Sequence, residues 1–140
     1  MKVKKINSRT KGAAFERLIV NKLNAVFLDL GIDRTAKRNL DQAFIKGLAD
    51  IYIGQFAIEC KRYGENKSGN MYKQAWWDQV VSSAGDKLIP VLIYKYNKRE
   101  IMAVVPGWIV SGMRKDNQVI YMCPLSDLCG SLEDIFKKCL

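Results

Sequence analysis

The sequence predicts an α/β fold in a single domain, a central mixed β-sheet with helices packed on it. Three observations predict it. Apolar residues recur at helical spacing through residues 11–30. Two short apolar runs flank Gly54-Gln55, the pattern of a tight β-hairpin. A second helical stretch, 71–84, joins that hairpin to the strongly apolar run 88–96. It has the length of a crossover between parallel strands.

The elements follow in chain order. Residues 1–9 read as a flexible basic arm, and Ser8 or Thr10 can cap the helix after it. In that helix Phe15, Leu18, Ile19, Leu23, Val26, Phe27 and Leu30 make one apolar stripe, and Gly31 ends it. Glu16 lies beside the stripe, where it can run along the sheet; a solvated helix glutamate is the plainer reading. Residues 32–40 suggest a short polar edge strand leading into a loop, and 41–46 favour no element. Strands are expected near 49–53 and 56–62, then a polar, glycine-rich loop over 63–70. The 71–84 helix carries Trp76 and Trp77, one expected in the core and the other at an interface. Base stacking by either is a weaker reading than packing. A strand over 88–96 admits Pro90 near its start. Asn97-Lys98-Arg99 turns it into a partner strand, 101–105, which Pro106-Gly107 breaks. A short helix over 107–113, a strand at 119–122 and helical turns at 124–129 and 132–138 complete the chain.

At 140 residues with 49% apolar composition, the chain is globular and can bury a substantial core. The uncharged stretch 101–113 is too short to span a bilayer, and no apolar signal-peptide core follows the basic start. The expectation is a soluble, cytoplasmic protein with no membrane partner. Four cysteines lack C-x-x-C spacing and histidine is absent. That disfavours a structural zinc site and excludes Ser-His-Asp and Cys-His catalysis. Acid-base chemistry must then run through carboxylates, lysines or water on a metal. The formal charge is +9, of which +7 lies in residues 1–38. A one-sided basic field favours a polyanion, most simply nucleic acid. A merely soluble basic protein is the bland alternative.

The hairpin carries the candidate chemistry. With Gly54 and Gln55 as the loop, Ile53 faces Phe56, Tyr52 faces Ala57, Ile51 faces Ile58 and Asp50 faces Glu59. Strand alternation puts Ile51, Ile53, Phe56, Ile58 and Cys60 on a core face. Asp50, Tyr52, Ala57, Glu59 and Lys61 share the other. Opposed carboxylates weaken a sheet by up to about 1 kcal/mol. A divalent cation would compensate, since Mg²⁺ takes one or two carboxylates plus waters and phosphates. Lys61 could contact a phosphate or help activate water. Solvated strand-end carboxylates and an ordinary exposed lysine are the bland reading of the same residues.

Glu16, Asp50 and Glu59-Cys60-Lys61 together resemble the D-x(n)-E-x-K constellation of the PD-(D/E)XK nuclease superfamily. Arg9-Thr10-Lys11-Gly12, Phe15-Glu16-Arg17 and Lys46-Gly47-Leu48-Ala49-Asp50-Ile51 resemble archaeal and phage Holliday junction resolvases. Gln79 and Pro90-Val91-Leu92 also fit. The resemblance covers about residues 8–96, with Ala49 where the motif's proline would stand.

The resemblance implies a restriction-endonuclease-like α/β fold and one nuclease domain over 1–140, with arm 1–9, catalytic core 10–96 and an extension of sheet and helices over 97–140. It implies a DNA endonuclease, a Holliday junction resolvase, with Glu16, Asp50, Glu59 and Lys61 as catalytic residues. Asp50, Glu59 and Glu16 would hold Mg²⁺, or Mn²⁺, and the Ile58 or Cys60 carbonyl is a further candidate ligand. Lys61 would orient or activate the attacking water. Arg9, Lys11, Arg17, Arg38, Lys46 and Arg62 would hold DNA phosphates, and Gln79 would support the acidic cluster. A homodimer and a phage origin are further expectations. The alternatives are a nuclease for other branched or duplex DNA, and a nucleic-acid-binding protein of the same fold that does not cut.

Overall fold

A computed structural model describes residues 8–65, 69–111, 118–130 and 133–140. The long helix α1 spans Ser8–Leu30. Its buried line is Phe15, Ile19, Leu23 and Phe27, an i,i+4 row on one face. The stripe is narrower than the sequence suggests, because Leu18 points outward at 41% exposure. The helix already includes Ser8 and Arg9, so these two do not belong to an arm, and Thr10 lies inside the helix rather than capping it. The rest of the expected arm falls outside the described residues.

Five strands form one sheet in the order β1-β2-β3-β4-β5. They are β1 (Ile51–Ile53), β2 (Phe56–Arg62), β3 (Ile89–Lys95), β4 (Met102–Pro106) and β5 (Ile120–Pro124). The hairpin register is the expected one: Ile51 pairs with Ile58, Tyr52 with Ala57 and Ile53 with Phe56. Gly54 has φ 55° and Gln55 has negative φ, as a type II′ turn requires. Strands β2 and β3 are parallel, connected by helix α2 (Gln74–Ala84), and the remaining pairs are antiparallel. The mixed sheet flanked by helices is thus the fold class expected.

The helices cover opposite faces. Ile51, Ile53, Phe56 and Ile58 pack with the α1 row, and Cys60 lies against that cluster. On the other face Ala57 meets Ala49 and Ala84, small side chains that let α2 lie close to the sheet. Trp76 and Trp77 are both buried there with Leu92, Tyr94 and Val104, so neither is left at an open interface. Trp76 packs among the rings of Tyr63, Tyr94 and Tyr96, with centroids 4.8–5.9 Å away. This is packing, not a platform for bases.

Two local departures have identifiable causes. Residues 32–40 make only an isolated bridge, Arg38 to Ile51. Asn24 of α1 takes up both backbone groups of Ala36, donating to its carbonyl at 3.2 Å and accepting from its N–H at 2.7 Å. A strand would have needed those groups. Helix α2 begins at Gln74 because the Tyr94 and Tyr96 hydroxyls donate to the carbonyls of Asn70 and Met71 and hold that segment extended. At the C-terminal side, α3 (Trp108–Ser111), α4 (Leu125–Gly130) and α5 (Glu133–Lys138) follow. The Gln55 N–H then donates to the Cys139 carbonyl at 2.9 Å, drawing the last residues onto the hairpin turn. No described helix is long and apolar enough to cross a membrane.

Candidate active site

Asp50 immediately precedes β1, and its Oδ2 accepts a hydrogen bond from the Cys60 N–H at 2.8 Å. This holds it across the open end of the hairpin from Glu59. The Asp50 and Glu59 carboxyls are close enough to share a hydrogen bond. Glu59 is only 2% exposed. Burial, then the charge of Asp50 and that hydrogen bond, push its pKa up to about 8, while Lys61 pulls the other way and Glu16 adds a smaller push. Gln79 of α2 reaches Glu59 Oε2 with its Nε2 at 3.5 Å, and Glu59 Oε1 is buried with no hydrogen-bond partner. Burial also drives the intervening Cys60 thiol far up, so it is an inert neighbour rather than a nucleophile.

Lys61, half-buried, is two residues beyond Glu59 on the same strand face. Its ammonium makes no ion pair among the described residues. Glu16 is buried on the α1 side and its Oε2 pairs with Arg38 Nη2 at 3.1 Å. Its charge still reaches Glu59 and Cys60. Among the described residues no three His, Cys, Asp or Glu side chains converge into a ready-made metal cage. Asp50 and Glu59 are brought together; Glu16 stands behind them, engaged with Arg38.

The basic residues divide. Arg17 and Lys46 are exposed and Lys11 is half-buried. The side chain of Arg9 lies outside the described residues. Arg62 is committed within the chain, donating to the carbonyls of Tyr63 and Lys95 and to Asn97 Oδ1. It ties the end of β2 to β3 and the turn after it.

One positioning residue escaped the sequence reading. Asn39 donates its N–H to the Asp50 carbonyl at 2.7 Å and its Nδ2 to the Ala49 carbonyl at 3.2 Å. Its Oδ1 accepts from the Asp41 N–H, capping a 3-10 turn over Leu40–Ala43. The Ala49 N–H donates to the Tyr52 hydroxyl at 3.0 Å. Asp50 is therefore set by backbone latches on both sides. The sequence signal was an asparagine before a polar turn, too common to single out.

A mixed sheet bearing an acidic hairpin, Asp50 against Glu59 with Lys61 two residues on, is the arrangement of a PD-(D/E)XK nuclease. The profile of the family described as "Phage putative PDDEXK endonuclease" matches residues 7–123, and the chain belongs to that family. No curated protein matches the chain. Among solved structures it is similar to Hjc, a Holliday junction resolvase from Archaeoglobus fulgidus, at 17% identity over 91% of this chain and 99% of that one, with a TM-score of 0.49.

Proposed function

We propose that this endonuclease cuts branched DNA in a reaction that depends on Mg²⁺ or Mn²⁺, as a Holliday junction resolvase. The observation that carries the catalytic reading is Glu59 Oε1, a buried acceptor without a donor beside a second carboxylate. An unpaired buried acceptor costs free energy, and a hard cation would satisfy it and displace the proton that burial beside Asp50 otherwise keeps on Glu59. The residues therefore fit the metal. Asp50 and Glu59 would hold it, phosphate and water oxygens would fill most other positions, and Glu16 would act through water. The Ile58 or Cys60 carbonyl is a candidate for one more position. A divalent cation there supplies Lewis acidity at the phosphate and lowers the pKa of water.

The side chains do the rest. Gln79 fixes the direction of the Glu59 carboxylate. Lys61 orients the attacking water and offsets charge gathering on the phosphate. Lys11, Arg17 and Lys46, with Arg9 and Arg38, hold the DNA backbone, which makes binding salt-dependent. The junction preference is supported by the runs around Arg9–Arg17 and Lys46–Ile51 that resemble resolvases. A twofold dimer would let two such sites nick opposing strands. The DNA would be met in the cytoplasm of a phage-infected host.

The test compares an end-labelled four-way junction with a linear duplex of the same arm sequence, each with Mg²⁺, with EDTA, and with Glu59→Gln. Paired symmetric nicks in the junction alone, lost with EDTA and in the variant, are expected. Cutting of both substrates would leave a nuclease without junction preference. Tight binding without cutting under Mg²⁺ or Mn²⁺ would overturn the catalytic reading.

A further inference from the structure

The loop that delivers Asp50 has a second feature. Its ends are closed by the Asn39 latch onto Ala49 and Asp50. Its outer part exposes three large apolar side chains within six residues: Leu40 at 63%, Phe44 at 89% and Ile45 at 54%. Single exposed apolar residues need no explanation, but a cluster on the loop that leads into Asp50 does. The tip is ordered rather than slack. The N–H groups of Phe44 and Ile45 both donate to the Asp41 carbonyl, at 3.0 and 2.9 Å. Gly47, at φ 85°, turns the chain back toward Asp50. The cluster is bracketed by cations, Lys37 and Arg38 before it and Lys46 after it, with Lys37 and Lys46 exposed.

We propose that the Leu40/Phe44/Ile45 tip is a stacking wedge for a base that has lost a stacking neighbour at a DNA branch point, next to the phosphate cut at Asp50 and Glu59. This deepens the branched-DNA reading and rests on it. Apolar side chains flanked by cations suit nucleic acid, with the exposed Asp41 the one charge between them: the cations hold phosphates while the ring takes the base face. A second copy of this chain fits less well. Two such tips would bring like charges together, and three side chains fall far short of the roughly 800 Å² per partner of a stable interface. A tip held by its own hydrogen bonds loses little freedom on binding. The wedge also discriminates: a continuous duplex offers no open base face, whereas a branch does.

The experiment uses the full chain carrying Glu59→Gln, so that DNA is bound and not cut, with 2-aminopurine at the branch point of a junction. Phe44→Ala and Phe44→Trp are added separately, and a linear duplex is the control. Phe44 is exposed, so its replacement leaves the core alone. The expected result is a change in 2-aminopurine emission on binding that Phe44→Ala abolishes. Junction affinity should fall roughly tenfold with Phe44→Ala, return with Phe44→Trp, and duplex affinity should hold constant. Unchanged junction affinity in Phe44→Ala, or an equal loss on both DNAs, overturns the wedge. So does a shift in sedimentation with unaltered emission, which would assign the tip to a second copy. Cutting by the wild type is measured separately with Mg²⁺ and Mn²⁺. Its failure removes the nuclease reading while the wedge still reads out in binding, and a wild type that binds no branched DNA removes both.

Discussion

The Asp50 carboxylate accepts a hydrogen bond from the backbone of Cys60, the residue between Glu59 and Lys61. One contact thus couples the acid before β1 to the register of the acid and the lysine on β2. Asp50→Asn keeps an acceptor for that N–H but loses the charge. Its fold should survive, with stability raised by up to about 1 kcal/mol only above about pH 8, where Glu59 would otherwise ionise against Asp50. Metal-dependent cleavage should drop at least about 100-fold. Circular dichroism with thermal melting, run beside a junction-cleavage assay, checks both halves. Wild-type cleavage by this variant would remove Asp50 from the chemistry.

Glu59 makes metal-free stability depend on pH. Its pKa rises from 4.5 to about 8 on folding, so the native state holds a proton that the unfolded chain releases. Below pH 4.5 both states are protonated and there is no penalty. Between 4.5 and about 8 the native state binds more protons, so stability falls as pH rises, and it levels off above that. Melting temperatures in EDTA across this window should therefore decline, and Glu59→Gln should flatten the decline. Mg²⁺, bound as proposed by the folded, ionised pair alone, should raise the melting temperature at pH 8 in wild type but not in Glu59→Gln. A flat profile in wild type would refute the buried-acid description.

The hairpin was legible because two strong local rules agree there. A glycine at a two-residue turn sets the loop, and alternation of Ile51, Ile53, Phe56 and Ile58 sets the face. Together they pair Asp50 with Glu59 before any fold is known. The α2 crossover followed from its length. The Arg38–Glu16 pair, 22 residues apart, was not legible, nor was the Asn39 latch. Both depend on how the segment after α1 folds back on it, and Asn24 decides that through the backbone of Ala36. The burial of Trp76 was likewise hidden, since it needs Tyr94 of a later strand and Tyr96 just beyond that strand's end to close over it.

Arg38 and Glu16 give a prediction that separates structure from binding. The pair is largely buried, with side-chain exposures of 23% and 9%. Arg38→Ala should cost about 1–3 kcal/mol, less than a fully buried pair because water reaches the guanidinium. Arg38→Lys keeps the charge but not the fork and should cost less. Urea titrations with unchanged m-values would measure this. If Arg38 also serves a phosphate, the slope of log affinity against log salt should shrink by about one in Arg38→Ala. An unchanged slope would confine it to orienting Glu16.

Gly54 is constrained twice. Its φ of 55° suits glycine, and a Cβ there would lie 2.7 Å from both Cα and O of Leu140. Gly54→Ala should therefore destabilise by more than the roughly 1 kcal/mol expected of a left-handed backbone alone. The two causes are separable. Deleting residues 139–140 removes the clash but leaves the φ requirement, so the cost of Gly54→Ala measured within the truncated chain should fall to about 1 kcal/mol. The excess in the full chain is the coupling between hairpin turn and C-terminal segment. Equal costs in both backgrounds would mean that the C-terminal residues do not hold the turn. A coupling would mean that the segment after α5 helps fix the hairpin on which Asp50 and Glu59 stand.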